Sequence, residues 1–181
     1  PFMLNASGNT EQIIEQAFAE ISCTTMVPVS HLLWSACWQG IATAAVNKAR
    51  AFVRGQARAN PGVMPPTALR LAELVNQLQT LRTTCHDCLS EYNQLCTSDT
   101  TEHLSSMAYA LKINNLKIEV SQTLPLIVTR ALTICGILGY KNDSKFSMSR
   151  HLRDAHSAAL MVANDRILAT NANLLLILQD D

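Results

Sequence analysis

Apolar residues recur at three- and four-residue spacing over most of this 181-residue chain, the period of a helix that buries one face. The clearest case is 149–176, SRHLRDAHSAALMVANDRILATNANLLL. There Leu152, Ala155, Ala159, Val162, Arg166 and Ala169 share a face, and Ala158, Met161, Asp165 and Leu168 form a neighbouring stripe. Arg150, Arg153 and Asp154 charge the opening turn. This spacing predicts one long amphipathic helix.

Three more helices follow from the same period. The first, over 28–59, opens on Pro28, whose missing N–H is not needed in a first turn. Its apolar stripe is Leu33, Cys37, Gly40, Ile41, Ala44, Ala45 and Phe52. Small residues at Gly40, Ala42, Ala44 and Ala45 would admit another helix or a flat ligand close to the backbone. The second, over 67–95, repeats Leu71, Leu74, Leu78, Leu81, Cys85 and Leu89. The third, over 102–138, takes its N-cap from Thr100 or Thr101 and a kink from Pro125. Asn60-Pro61-Gly62, Thr97 to Thr100 and the polar run 140–146 are the connections. Residues 1–27 read as a lead-in with a short helix from Thr10 to about residue 21, and 28–181 as the domain proper. Helices of roughly thirty residues are about 45 Å long. With short connections they predict an all-α, up-down-up-down four-helix bundle.

Composition narrows the function classes. Lysines and arginines balance aspartates and glutamates at fourteen each, so neither a grip on nucleic acid nor a basic membrane-binding face is expected. No uninterrupted apolar run approaches the roughly 18 residues of a spanning helix, and a cytoplasmic, membrane-free protein is expected. The sequence opens on Pro1 rather than Met, which leaves room for further residues upstream. Cys85-His86-Asp87-Cys88 with Cys96 and His103 offers four zinc ligands. Zinc usually takes such ligands from a tight knuckle, whereas this CxxC falls late in a helical pattern, so packing thiols are expected and no metal site is assigned.

Four segments in order carry a resemblance. HLLWSACWQGIATAAVNKARAFVRGQAR is similar to a first helix of the form GIA..A…A..Y…R. Lys117 stands nineteen positions before Gly136, where an Ala-Lys pair is common. ALTICGILGY is similar to Q..GG.GY, and SRHLRDA to R..RDA. Over about residues 25–178 the chain thus resembles the C-terminal helical domain of the acyl-CoA dehydrogenase flavoproteins. The resemblance implies FAD held between this domain and two preceding ones, oxidation of acyl-CoA thioesters, and a homodimer or homotetramer. A chain of this length would supply only the helical part.

Carried over position by position, the resemblance places Arg58 on the FAD pyrophosphate, often of a neighbouring subunit, where a guanidinium fork suits two phosphates. Thr133 stands for a Gln near the adenine side, and Gly136 keeps one glycine of a pair whose second is Ile137. Asn164 replaces a Thr that contacts the cofactor. Arg153 and Asp154 read as a structural ion pair. Val162, seven positions after Ala155, takes the place of the catalytic Glu and cannot accept the alpha proton. Some relatives carry the base on the first helix, which corresponds to Ser30, beside His31. Two alternatives follow: a flavin-dependent monooxygenase of the same fold, which needs no such base, and a non-catalytic helical oligomerisation or partner-binding module.

Overall fold

The computed structural model describes residues 3, 5–97 and 101–178, and every element among them is helical. After a 3₁₀ turn at Thr10–Gln12 come α1 (Phe18–Ile21), a π turn (Ser22–Met26), α2 (Val27–Ala59) and α3 (Ala68–Thr97). A 3₁₀ turn at Thr101–Ser105 leads into α4 (Met107–Cys135), followed by α5 (Ile137–Tyr140), α6 (Ser149–Ser157) and α7 (Asn164–Ile177). The helical path runs unbroken from α1 into α2, across Pro28. The Val27 N–H bonds the Ser22 carbonyl five residues back, so the ladder changes register where proline has no donor to lose.

The cap of α4 is also displaced. Thr100 lies outside the described residues, and Ser106 is the N-cap, its hydroxyl accepting from the Tyr109 N–H at 3.2 Å. Pro125 is accommodated within α4. The helix stops at Gly136, whose φ of 57° ends the ladder earlier than the apolar period suggested.

Helix α4 is the centre, packing against α2, α3, α6 and α7. It is long and apolar enough to cross a membrane by length and composition. Its apolar face is the one its neighbours cover: Ile113, Leu116, Leu124, Ile127, Val128 and Ala131 are all buried. Side-chain pairs give the directions. Thr67 reaches Gln56 and Arg82 reaches Thr43, so α2 and α3 are antiparallel. Asn171 meets Asn114, while Asn164 meets Ser121, so the last leg runs back along α4.

Two readings of the sequence need correction. Leu33, Cys37, Gly40 and Ala44 are exposed, and the buried face of α2 is Pro28, His31, Ser35, Trp38, Ala42, Ala45, Val46, Ala49 and Val53. After Pro28 that face carries His31 and Ser35, polar residues that an apolar criterion passes over. A Cβ added at Gly40 would meet nothing within 4 Å, so close approach rests on the alanines. Secondly, 149–176 is not one helix. The chain leaves α6 after Ser157, turns through 158–163 and restarts as α7. Val162, Arg166 and Ala169 consequently lie outside the core.

Candidate functional site

Within the most apolar helix, Asn114, Lys117 and Ser121 repeat at helical spacing, and all three are buried. Lys117 has no exposed surface. Its ammonium donates to the Val162 carbonyl at 3.0 Å and to Asn164 Oδ1 at 2.6 Å, and lies 5.6 Å from the centroid of a Trp38 ring. Asn164 Nδ2 donates to Ser121 Oγ at 3.0 Å. One turn along, Asn114 Nδ2 donates to Asn171 Oδ1 at 2.8 Å, and Asn171 Nδ2 to Asn115 Oδ1 at 2.9 Å. No carboxylate joins this network among the described residues. Burial therefore holds the Lys117 amine below its ordinary range, and neutral acceptors with an aromatic face support its charge.

What the network holds is the break between α6 and α7. Val162 has φ of 49°, the one positive φ outside glycine among the described residues. A β-branched residue there costs roughly 1–2 kcal/mol. The Lys117 bond falls on the carbonyl of that same residue. Val162 is 46% exposed, so it is presented outward from a turn whose backbone is tied to the core. Ala163 precedes α7 without a side-chain cap, and Asn164 spends its amide on the lysine and on Ser121.

His31 borders the same network. It is 4% exposed, and its Nδ1 lies 3.3 Å from Ser30 Oγ, which also donates to the Val27 carbonyl at 2.9 Å. Burial, then the Lys117 charge, pull the imidazole down to about 4, against a hydrogen bond with Asn114 that raises it. At neutral pH it is an uncharged ring. The fold therefore gathers four of the expected site residues, Ser30, His31, Val162 and Asn164, around one lysine.

The remaining three, Arg58, Thr133 and Gly136, sit at the opposite end of the bundle. Gly136 is nineteen helical positions from Lys117, about 28 Å at helical rise. Arg58 and Thr133 are exposed, and Thr133 donates to the Thr129 carbonyl at 3.0 Å, leaving its oxygen free to accept. An added Cβ at Gly136 would meet nothing within 4 Å beyond its chain neighbours, so no close approach requires the glycine. Glycine is demanded by its φ, and crowding belongs to Gly139. An added Cβ there would lie 2.9 Å from Cys135 Cβ and 3.2 Å from the Leu132 carbonyl oxygen.

One further assignment changes. The partner of Asp154 is Arg150, at 3.5 Å across one exposed turn, rather than Arg153. No three His, Cys, Asp or Glu side chains converge on a metal position among the described residues. Burial raises the Cys85 thiol to about 11, so it stays protonated. Sequence reasoning had singled out Lys117 as a landmark and missed Trp38, Asn114, Ser121 and Asn171. A polar stripe at helical spacing inside the most apolar segment was the available signal.

The domain is all-α with α4 at its centre, and its class is a helical domain of the acyl-CoA dehydrogenase type. The match is to the family model described as acyl-CoA dehydrogenase, C-terminal domain, over residues 23–168. The chain belongs to that family. No curated protein and no solved structure matches it.

Proposed function

We propose that this domain serves as the helical wall of an FAD-dependent oxidoreductase that lacks the usual alpha-proton base. The carrying observation is Val162, turned outward at the α6–α7 break and anchored through its carbonyl by Lys117. FAD, when bound, would supply a hydride acceptor or, reduced, an oxygen-activating centre. The chain's own part is positional. Lys117 and Asn164 fix the turn that faces the reacting carbons, and Arg58, Thr133 and the backbone at Gly136 would hold the dinucleotide's polar end. Because these two groups lie at opposite ends of one copy, the reading includes a homodimer or homotetramer in which a neighbouring subunit supplies Arg58.

A hydrocarbon side chain at residue 162 cannot take a proton. His31 is neutral at pH 7 but almost wholly buried and engaged by Ser30 and Asn114. The alternative of a flavin monooxygenase, which needs no such base, is therefore favoured by the same residue. The full-length gene product decides between them. Yellow protein that is not bleached by acyl-CoA of any chain length, but consumes oxygen once its flavin is reduced, supports the monooxygenase. Anaerobic bleaching by an acyl-CoA supports a dehydrogenase with its base elsewhere. Colourless protein that fails to take up FAD sinks both and leaves a helical packing module.

A further inference from the structure

Equal numbers of cations and anions over the whole chain conceal a segregation. Five lysines and arginines, with no aspartate or glutamate, lie between residues 48 and 70, and five more, against Asp143 alone, between 130 and 153. The fold brings both stretches to one end of the bundle. Thr67 bonds Gln56 across the α2–α3 connection, Phe52 packs on Phe146 with ring centroids 5.3 Å apart, and the Met148 N–H bonds the Gly139 carbonyl. Lys48 spends its ammonium on the Ser147 carbonyl at 2.7 Å. Of these cations, Arg150 alone has an ion-pair partner among the described residues, Asp154. Helix electrostatics does not call for the others. A cation in a last turn offsets the helix dipole, which accounts for Arg58. Arg70 and Arg150 lie in the first turns of α3 and α6, where the dipole opposes a cation.

The same end carries exposed apolar side chains at its tips. Val63 and Met64 occupy the α2–α3 connection, where Met64 is 77% exposed, and Tyr140 of α5, 73% exposed, follows the end of α4. Burial of apolar tips and attraction of the surrounding cations to lipid charge are the two terms by which a folded protein adsorbs to an anionic bilayer. A nucleic acid or a free phosphate would match the charge and leave the tips in water. We infer that this end of the bundle docks on the surface of an anionic lipid membrane, with both tips entering the headgroup region. The inference does not rest on the flavin reading. A dinucleotide's pyrophosphate would occupy Arg58 and leave Arg54, Arg70, Lys141, Lys145 and Arg153 unmatched.

Co-sedimentation of the chain with vesicles of equimolar phosphatidylserine and phosphatidylcholine, against vesicles of phosphatidylcholine alone, tests this without FAD. Partition into the mixed vesicles is expected to be about tenfold stronger or more, since each cation near an anionic leaflet contributes about fivefold, and to weaken as salt rises. Arg70→Gln combined with Lys145→Gln should reduce it about tenfold or more. Met64→Ser combined with Tyr140→Ser should also reduce it about tenfold, through lost apolar burial. All four positions are exposed, so both variants should keep the parent's urea midpoint. An equal charge of double-stranded DNA should leave most of the chain on the mixed vesicles. Partition that is equal for the two vesicle types, absent from both, or unchanged in either double variant would overturn the assignment. So would displacement by the DNA, since the favoured occupant would then be a nucleic acid.

Discussion

A valine in left-handed backbone and a histidine that refuses its proton are the two single residues that most depart from ordinary chemistry. Asparagine tolerates positive φ better than a β-branched residue, and Val162 is half exposed, so little burial is lost on replacing it. Val162→Asn should therefore raise stability by about 1 kcal/mol, read as a higher midpoint in urea with unchanged slope. His31 gives a pH dependence whose sign follows from its lowered value. Between the ordinary 6.5 and about 4, the unfolded chain binds a proton that the folded chain does not. Stability is thus full above 6.5 and falls as pH drops toward 4, by at most ~3 kcal/mol. His31→Asn should flatten that limb relative to the parent. Parallel pH curves for the two proteins would show that His31 is not the group responsible.

Between elements, one lysine joins α4 to the turn that separates α6 from α7. Replacing it by Met removes the cost of burying an ammonium and also removes two hydrogen bonds. Of the freed acceptors, Asn164 keeps its bond with Ser121, and the Val162 carbonyl belongs to a turn that can shift to meet water. These terms oppose, so Lys117→Met should change global stability by less than ~2 kcal/mol. Hydrogen exchange should nevertheless accelerate locally at 158–164, and uniform protection there would refute the anchoring role. The turn after α4 has no such slack. Gly139→Ala places a carbon 2.9 Å from Cys135 Cβ and should destabilise by ~1–3 kcal/mol, measured by chemical denaturation. The break itself was not legible, because a hydrophobic period survives a short turn when the residues on either side resume it by chance. Val162, Arg166 and Ala169 kept the spacing expected of one helix while lying outside the core.

For the whole molecule, the proposed oxidoreductase activity calls for a flavin site larger than this domain. Val162→Glu in the helical domain alone should show no acyl-CoA oxidation, because under the proposed function that domain supplies only part of the flavin site. Measurable turnover by that variant would refute the division of labour proposed above. Helix period, turn chemistry and four short motifs were enough to determine the all-α class, the positions of α3 and most of α2, and the family. These are local properties, set by side-chain spacing along one element. Which face of α2 is buried was decided only by packing, because that face includes His31 and Ser35, which become interior only when other helices pack on them. The grouping of Ser30, His31, Val162 and Asn164 around Lys117, apart from Arg58, Thr133 and Gly136, was likewise tertiary. It depends on the last leg folding back along α4, and no spacing within a single helix records that contact.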